Sequence, residues 1–231
     1  MENFEDLGFS KVDYDREQRQ GFPEVIYGEG KAVEHIEPIM GKLIERHGKV
    51  MVTRVAKEKA EILLERFPEA VYDSTSRILL YGKPVLNFGG EVMVLAAGTS
   101  DLFVAEEAAI TAEWMGCKVS RLYDVGVAGI DRLLAYRDDI TKASVLIVVA
   151  GMEGALPSVV GGLVQRPVIA VPTSVGYGAH LEGITPLLAM MSSCASGLSV
   201  VNIDNGFGAA YQAAMIMKLA SEGVHHETSI S

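Results

Sequence analysis

From residue 91 onward, short apolar runs rich in valine and isoleucine alternate with stretches of helical periodicity, and this alternation constrains the fold more than any other feature. Strands that alternate with helices form parallel sheets. The run at 144–151 is unbroken, which is typical of a central strand covered on both faces. Predicted strands lie at 91–98, 118–125, 144–151, 167–172 and 198–203, and predicted helices lie at 101–116, 130–141 and 206–220.

Five strands joined by right-handed helical crossovers predict a three-layer αβα domain with a parallel five-stranded sheet. We expect the flavodoxin-like strand order 2-1-3-4-5, counted within this domain.

The first part of the chain has a different character, since residues 1–90 hold more than half of the charged residues. A small α/β domain is predicted there, with helices at 32–47 and 56–67 and strands at 49–54, 70–72 and 77–80. Turn-forming residues cluster at 81–90. We therefore predict an amino-terminal domain at 1–89 and a second domain at 90–231.

The net charge of −10 argues against nucleic acid and anionic membrane surfaces as partners. The uncharged stretch at 183–203 is long enough to span a bilayer, but its many hydroxyl-bearing residues predict buried globular chain instead. The chain starts with acidic residues and no apolar leader, and its two cysteines, Cys117 and Cys194, fit neither a disulfide framework nor a zinc spacing. These features predict a cytoplasmic protein that binds neither nucleic acid nor membrane.

Each predicted strand of the second domain is followed by a loop rich in glycine and polar residues. In open parallel sheets, ligands bind beyond the carboxyl ends of the strands, where glycine lets backbone N–H groups approach an anion. The alternative for Gly98-Thr99-Ser100-Asp101 is an ordinary turn that caps a helix. Five such loops in one crevice favour a phosphate-binding site, with these candidate substrate-binding residues: Thr99, Ser100, Asp124, Gly126, Gly151, Thr173, Ser174, Gly176, Asn205 and Gly206.

Two further residues have types that suit catalysis. Glu153 directly follows an apolar strand, where partial burial is expected to raise its pKa toward a range useful for proton transfer; the alternative is a glutamate that stabilises a helix start. Cys194 lies among small polar residues that leave room for a substrate, whereas Cys117 precedes an apolar strand and is interpreted as a packing residue. Composition alone does not decide whether Cys194 is a nucleophile or a packing residue.

The loop sequences resemble those of the LarB-type pyridinium-3,5-biscarboxylic acid mononucleotide synthases of nickel-pincer cofactor biosynthesis. The matching segments are REQRQGFPEVIYGEGK, GTSD, DVGVAG, VVAGMEGALPSVVGGL, PVIAVPTSVGYGA, SSCASG and VVNIDNGFGAA. The carboxyl-terminal domain is also similar to the carboxyaminoimidazole ribonucleotide mutases of purine synthesis. Those mutases carry a histidine before a Leu-Pro pair, where this chain has Ala155.

The resemblance implies carboxylation of the pyridinium ring of nicotinic acid adenine dinucleotide by carbon dioxide or bicarbonate, and cleavage of its phosphoanhydride to release AMP. Cys194 is then the nucleophile that adds to the ring, Glu153 the base, and Asp101 a second carboxylate. We also expect Mg²⁺ or a similar divalent cation, with no ligands assigned to it, and no organic cofactor.

Topology sets Cys194 apart from the other candidates, because it precedes the last strand and is therefore expected at the amino edge of the sheet. Either a long loop folds over, or Cys194 joins the site of a neighbouring subunit. We predict a homo-oligomer, and the resemblance to the mutases implies an octamer. In the amino-terminal domain, Arg54 follows a predicted strand and is a candidate ligand for the dinucleotide, with a solvated surface arginine as the alternative.

Two other functions remain open at this stage. A mutase-type carboxyl transfer in purine biosynthesis accounts for the fold but not for the cysteine. A non-enzymatic nucleotide-binding regulator accounts for the phosphate-binding loops but gives Glu153 and Cys194 no role.

Overall fold

The computed structural model describes residues 3–227, with side chains through residue 222. The chain divides into two compact units, residues 1–83 and residues 84–231.

The amino-terminal unit is an α/β fold, as predicted. It contains the strands β1 (Phe4–Asp6), β2 (Lys11–Asp13), β3 (Ile26–Tyr27), β4 (Val50–Thr53), β5 (Val71–Asp73) and β6 (Ile78–Tyr81) and the helices α1 (Arg16–Gln20), α2 (Val33–His47) and α3 (Lys57–Arg66). Strands β1 and β2 form an antiparallel pair, and the other four form a sheet of order β3-β4-β6-β5.

The core of this unit follows from the sequence pattern of α2. Ile36, Ile39, Met40 and Leu43 recur at helical spacing and are buried, so one face of the helix packs on the sheet. All four residues of β4 are buried as well. Helices α2 and α3 and strands β4, β5 and β6 lie within a residue or two of their predicted positions, whereas β1, β2, α1 and β3 were not predicted.

The carboxyl-terminal unit has the predicted sheet. Its strands are β7 (Val92–Ala96), β8 (Val119–Leu122), β9 (Val145–Ala150), β10 (Val168–Pro172) and β11 (Leu198–Val200). They pair in the order β8-β7-β9-β10-β11, and every pairing is parallel. Counted within the unit, this is the order 2-1-3-4-5, which confirms the predicted three-layer fold. Strand β9 is central and buried along its whole length.

Helices cover the sheet, namely α4 (Leu102–Trp114), α5 (Ile130–Leu134), α6 (Arg137–Lys142), α7 (Leu156–Leu163), α8 (Ile184–Met191) and α9 (Gly206–Glu227). The prediction of a single helix at 130–141 is wrong, because two short helices, α5 and α6, occupy this segment. The predicted last strand is three residues too long, and the last helix extends beyond its predicted end.

The uncharged stretch at 183–203 forms α8, a loop and β11. It was expected to be buried, but α8 is only partly buried. Its outer side chains Ile184, Leu188 and Met191 are exposed. Among residues 3–227, no helix is both long and apolar enough to cross a bilayer.

Candidate functional site

A cavity of about 240 Å³ lies at the carboxyl edge of the parallel sheet. It is formed by the loops that follow β7, β8, β9 and β10, which is the edge where the sequence analysis expected a ligand. Of the candidate residues, the cavity is lined by Ser100, Asp101, Gly126, Gly151 and Glu153. Ser100 is exposed, so its hydroxyl is available to a bound anion.

Asp101 holds these loops together from within. Its side chain is only 4% exposed. The Thr173 hydroxyl donates to its Oδ1 (2.7 Å), the Gly98 N–H donates to its Oδ2 (3.0 Å), and the Gly151 N–H donates to the same carboxyl group. One carboxyl group therefore connects the ends of β7, β9 and β10.

The environment of Asp101 raises the pKa of its carboxyl group. Burial raises the pKa of this carboxyl above its ordinary value, and the Asp204 carboxylate adds to the rise, whereas the hydrogen bonds from Thr173 and Gly98 oppose it. Asp101 therefore binds a proton more readily than a solvent-exposed aspartate does.

Thr173 contacts Asp101 in this structure. It is completely buried, and its hydroxyl is bonded to Asp101 rather than directed at a ligand. The end of β10 turns this side chain inward, and the predicted ligand contact of Thr173 stays a prediction. The next residue, Ser174, is exposed, and its N–H donates to Asp204 Oδ1 at 2.8 Å.

Strained backbone is concentrated at this edge of the sheet. Asp124, Met152 and Asp204 follow β8, β9 and β11, and each has a φ between 51° and 58°, the left-handed region that costs a non-glycine residue free energy. The loops also approach closely, since a Cβ at Gly151 would lie 2.2 Å from the Val175 carbonyl oxygen. Such strain is typical of ligand-binding loops held in place by their surroundings.

Glu153 lies at the mouth of the cavity and is exposed. The expectation that its carboxylate is partly buried is wrong for the single chain. The left-handed turn at Met152 and the positive φ of Gly154 carry the segment outward after β9. Glu153 is therefore placed to exchange protons with a ligand in the cavity and with solvent.

Cys194 is exposed and does not line the cavity. Its loop runs from α8 to β11, where the Val168 N–H donates to the Gly197 carbonyl oxygen (3.1 Å) at the amino end of β10. Ser193 hydrogen-bonds to Ser158 of α7 (2.8 Å). The structure thus keeps the thiol apart from Asp101 and Glu153 within one chain, as topology indicated.

The other cysteine has the structural role predicted for it. Cys117 is fully buried, and this burial raises the pKa of its thiol to about 12. Because the thiolate is the reactive form, Cys117 is unreactive in the folded chain.

Several residues at the strand ends that were expected to bind a ligand have structural roles in the protein. Asp124 is exposed and pairs with Arg132 (2.7 Å). Asn205 Oδ1 accepts the Gly208 N–H (2.8 Å) and caps α9. Gly206 is buried where α9 meets α4, and a Cβ there would lie 2.4 Å from the Val104 carbonyl oxygen. Capping and close packing account for Asn205 and Gly206, so their predicted ligand contacts are not supported.

The remaining candidates lie outside the cavity lining. Thr99 is exposed in the turn before α4. Gly176 is exposed in the loop after β10, where a Cβ would lie 2.4 Å from the His180 ring. Arg54 belongs to the amino-terminal unit and pairs with Glu29.

His180 is a residue of this edge that the sequence analysis missed. It is 5% exposed, its Nδ1 accepts the Gly183 N–H (3.2 Å), and its buried Nε2 has no hydrogen-bond partner among the described residues. A histidine within a glycine-rich loop gives no sequence signal that would separate this buried position from an exposed one.

Carboxylates near the cavity do not form a protein-built metal centre. Across residues 3–227, no three histidine, cysteine, aspartate or glutamate side chains come together as metal ligands. Asp101 and Asp204 are neighbours, but both accept hydrogen bonds from the protein. The residues present therefore do not fit a metal held by side chains alone.

Comparison with protein families divides the chain at nearly the same place as the two compact units of the structure. Residues 4–83 match the model of the LarB/PurE-like N-terminal domain, and residues 91–229 match the AIR carboxylase model. A solved structure of PurE from Treponema denticola is similar at a TM-score of 0.42 and 15% identity, covering 61% of this chain and 98% of that one.

Two proteins of Methanocaldococcus jannaschii are similar in sequence. An uncharacterised protein is 44% identical over 218 residues, which are 90% of this chain and 84% of the relative. An N5-carboxyaminoimidazole ribonucleotide mutase is 33% identical over 138 residues, which are 58% of this chain and 82% of the relative. The chain therefore belongs to the LarB family, and its carboxyl-terminal unit is of the AIR carboxylase type, a class of enzymes that act on carboxyl groups.

Proposed function

We propose that this protein carboxylates C5 of the pyridinium ring of nicotinic acid adenine dinucleotide and hydrolyses the phosphoanhydride. The products are pyridinium-3,5-biscarboxylic acid mononucleotide and AMP, for nickel-pincer cofactor synthesis. The observation that carries the proposal is the presence of a LarB/PurE-like N-terminal domain and an AIR carboxylase domain in one chain, together with an exposed cysteine in the SSCASG segment.

The chemistry gives the cysteine a specific role. A pyridinium ring is electron-poor and does not attack carbon dioxide. When the Cys194 thiolate forms a C–S bond at C4, the ring nitrogen takes up an electron pair and C5 becomes a nucleophilic enamine carbon. C5 then forms a C–C bond to carbon dioxide, a base removes the C5 proton, and cleavage of the C–S bond returns the thiolate and restores the aromatic ring.

The cavity at the sheet edge supplies groups for the other steps. Glu153 lies at its mouth and is the proposed base for the C5 proton. Asp101 lies inside with a raised pKa and is the proposed second carboxyl group. Ser100 and the backbone at Gly126 and Gly151 are proposed to hold a phosphate or the ring carboxylate.

Charge develops on phosphate oxygens during hydrolysis, so we retain Mg²⁺ as an expected participant. Magnesium is commonly bound by substrate phosphates, waters and one or two carboxylates, which does not require a dedicated protein cage. Thr99, Ser174, Gly176, Asp124 and Arg54 remain proposed contacts for parts of the dinucleotide that extend beyond the cavity.

We further propose that Cys194 acts in the site of a neighbouring subunit in a homo-oligomer, with an octamer as the expected assembly. Two observations support this arrangement. Cys194 does not line the cavity of its own chain, and α8, directly before the cysteine loop, exposes Ile184, Leu188 and Met191. An apolar helix face of this kind is typical of subunit contacts.

Mass spectrometry of the products tests the reaction. Wild-type protein with nicotinic acid adenine dinucleotide, bicarbonate and Mg²⁺ is expected to yield AMP and a mononucleotide. This mononucleotide carries one carboxyl group more than nicotinic acid mononucleotide. Cys194→Ala is expected to abolish carboxylation, whereas Cys117→Ala serves as the matched control and retains it. Absence of the dicarboxylated product from the wild-type reaction would refute the proposal.

Subunit complementation tests the shared site. Cys194→Ala and Glu153→Gln are each expected to be inactive, and their co-expression is expected to restore about a quarter of the sites, because a site then needs a thiol from one chain and a carboxylate from another. If the mixed protein stays as inactive as the two variants, the thiol and the carboxylate belong to one chain.

A mutase-type reaction on an aminoimidazole ribonucleotide is the second candidate, because the carboxyl-terminal unit is 33% identical to such a mutase. Ala155, which lines the cavity, stands where the mutase pattern has histidine, and this substitution weighs against the mutase reaction. Conversion of N5-carboxyaminoimidazole ribonucleotide without formation of AMP would favour the second candidate.

A further inference from the structure

Another cavity, of about 330 Å³, lies at the start of β10, against the loop that carries Cys194. Its lining includes Gly161, Gln165, Arg166 and Gly197. Gly197 ends the cysteine loop (residues 192–197), and a Cβ at Gly161 would lie 2.8 Å from the Cβ of Ala195 in the same loop. The cavity therefore borders the cysteine loop.

Arg166 lies close to this loop. Its carbonyl oxygen would be 3.8 Å from a Cβ at Gly197. Within the loop, the Leu198 N–H donates to the Ala195 carbonyl oxygen (3.1 Å), which folds the segment back as a turn. Gly197 is three residues from Cys194, a length of chain that spans at most about 11 Å when it is extended. The folded loop therefore keeps Cys194 within that distance of a residue that Arg166 contacts.

The lining of this cavity carries a single charged group. That group is the guanidinium of Arg166, which is exposed and has no ion-pair partner among the side chains described, those of residues 3–222. By contrast, Arg132, beside the loop after β8, is paired with Asp124 (2.7 Å). The Arg166 guanidinium is therefore available to an anionic ligand.

The sheet-edge cavity has the opposite charge. The described residues that line it include two carboxyl groups, those of Asp101 and Glu153, and no lysine, arginine or histidine. A ligand carboxylate gains no charge-assisted hydrogen bond from this lining and is repelled by an ionised carboxyl group. In the proposed arrangement, Cys194 enters this site from a neighbouring subunit. Because Arg166 lies beside the cysteine loop, a cation arrives together with the thiol.

We propose that Arg166 binds the carboxylate on the pyridinium ring of the substrate and thereby selects a nicotinic acid dinucleotide over a nicotinamide dinucleotide. This inference rests on the proposed function, in which the Cys194 thiolate adds to C4 of the ring. The carboxylate of nicotinic acid is attached to C3, the carbon next to C4, so it lies beside the incoming sulfur. Arginine binds a carboxylate through two parallel N–H donors, whereas a carboxamide offers one acceptor oxygen and no negative charge.

Alkylation of Cys194 in the absence of substrate tests the charge beside the thiol. Iodoacetate and iodoacetamide differ only in a carboxylate and a carboxamide. Because both react with the same thiolate, the ratio of their rates reports a nearby cation and not the amount of thiolate. At low salt, Arg166→Gln is expected to lower the iodoacetate-to-iodoacetamide ratio about two- to threefold. Salt at about 1 M is expected to abolish this difference, because the Debye length falls to about 3 Å.

Two further variants make the alkylation test specific. Arg137→Gln removes the same charge from an exposed arginine of α6 and is expected to leave the ratio unchanged. Arg166→Lys keeps the charge and is expected to retain most of the ratio. The rate with iodoacetamide, which is uncharged, shows whether a variant has altered the loop itself. A wild-type ratio in Arg166→Gln would overturn the proposal, whether or not the protein carboxylates a dinucleotide.

Ligand selectivity tests the assignment to the ring carboxylate. Calorimetry in a Cys194→Ala background, where the ring is not attacked, compares nicotinic acid adenine dinucleotide with nicotinamide adenine dinucleotide. The acid is expected to bind more tightly than the amide. Arg166→Gln is expected to reduce this preference about tenfold to a hundredfold, through weaker binding of the acid, and Arg166→Lys is expected to reduce it less. A preference that survives Arg166→Gln would overturn the assignment.

Co-expression tests whether Arg166 and Cys194 act from the same chain. Arg166→Gln with Glu153→Gln is expected to restore about a quarter of the sites, because one chain supplies the carboxylate and the other supplies an intact arginine and thiol. Arg166→Gln with Cys194→Ala is expected to restore none, because no chain then carries both groups; restoration by this pair would overturn the proposal. Absence of product from the wild type refutes the carboxylation, whereas the alkylation ratio decides separately on Arg166.

Discussion

The hydrogen bond from Thr173 to Asp101 lets us predict how much Thr173→Val lowers the free energy of unfolding. Thr173→Val is nearly isosteric and removes one hydroxyl from a fully buried site, where that hydroxyl donates at 2.7 Å to a carboxyl group that is 4% exposed. A hydrogen bond to a charged group contributes about 1.5–3 kcal/mol, and one between neutral groups contributes about 0.5–1.5 kcal/mol. The size of the loss therefore depends on whether Asp101 is ionised.

The direction of the pH dependence follows from the pKa of Asp101. Its pKa is raised by burial on folding, so the folded chain holds this proton more tightly than the unfolded chain, and the stability from this group falls as the pH rises through that range. The Thr173 hydroxyl opposes the rise because it stabilises the ionised form. Removing it raises the pKa further, so the variant loses less stability at acidic pH and more at neutral pH.

Urea unfolding of the full chain, measured from acidic to neutral pH, tests this reasoning. We expect a loss of about 1.5–3 kcal/mol once Asp101 is ionised, equivalent to a fall in Tm of roughly 3–12 °C. Thr141→Val is the control, because its hydroxyl donates to a carbonyl oxygen on an exposed helix end, and its effect is expected to stay within about 0.5 kcal/mol. A Thr173→Val protein that matches the control, or that loses more stability at acidic pH, would refute the account.

Three further predictions concern the thiols, the tight loop contact and the apolar helix face. A thiol reagent is expected to modify Cys194 rapidly in the native protein and Cys117 only after denaturation, since the Cys117 pKa is raised to about 12; equal rates would contradict its burial. Gly151→Ala is expected to lower the free energy of unfolding in urea by about 1–3 kcal/mol, because its Cβ would lie 2.2 Å from a carbonyl oxygen. Gly162→Ala is the control: its Cβ would meet no atom within 4 Å, and the change is expected to be neutral or stabilising. Leu188→Glu is expected to reduce the sedimenting mass without lowering the native helix content, because this side chain is 57% exposed in the single chain; an unchanged mass would remove α8 from the subunit contact.

The parallel sheet was predictable because its signal is local. The unbroken apolar run of β9 and the alternation of strands with helices leave few arrangements that bury the apolar residues, and right-handed crossovers reduce these to a few common strand orders, of which 2-1-3-4-5 is one. The elements that were missed carry little local signal. Strands β1 and β2 are three residues each, with the sequences FED and KVD, and exist as strands only because they pair with each other.

The site was predictable only in part, because side-chain direction at strand ends depends on long-range contacts. Asp101 at the start of a helix resembles an ordinary cap, yet its carboxyl group accepts hydrogen bonds not only from Gly98 of its own turn but also from Gly151 and Thr173 of two other loops. Thr173 was expected to face a ligand, and it faces Asp101 because both are enclosed by the same convergence of loops. Position in the sequence identified the edge of the sheet at which the candidate cavity lies, and packing decided which side chains remain available there.

The separation of Cys194 from the cavity is better explained by topology than by loop motion. The cysteine loop is held at one end by the hydrogen bond between Gly197 and the start of β10, and near its middle by the bond between Ser193 and Ser158 of α7. Movement of the thiol to the cavity of its own chain would break both contacts and also draw β11 out of its register with β10. In the proposed arrangement, a second copy would bring its own thiol to the cavity without breaking these bonds, and a contact through α8 would cover its exposed apolar face. We therefore expect loosening of this loop by Ser193→Ala to leave the separation unchanged, and the complementation between Cys194→Ala and Glu153→Gln to persist in that background.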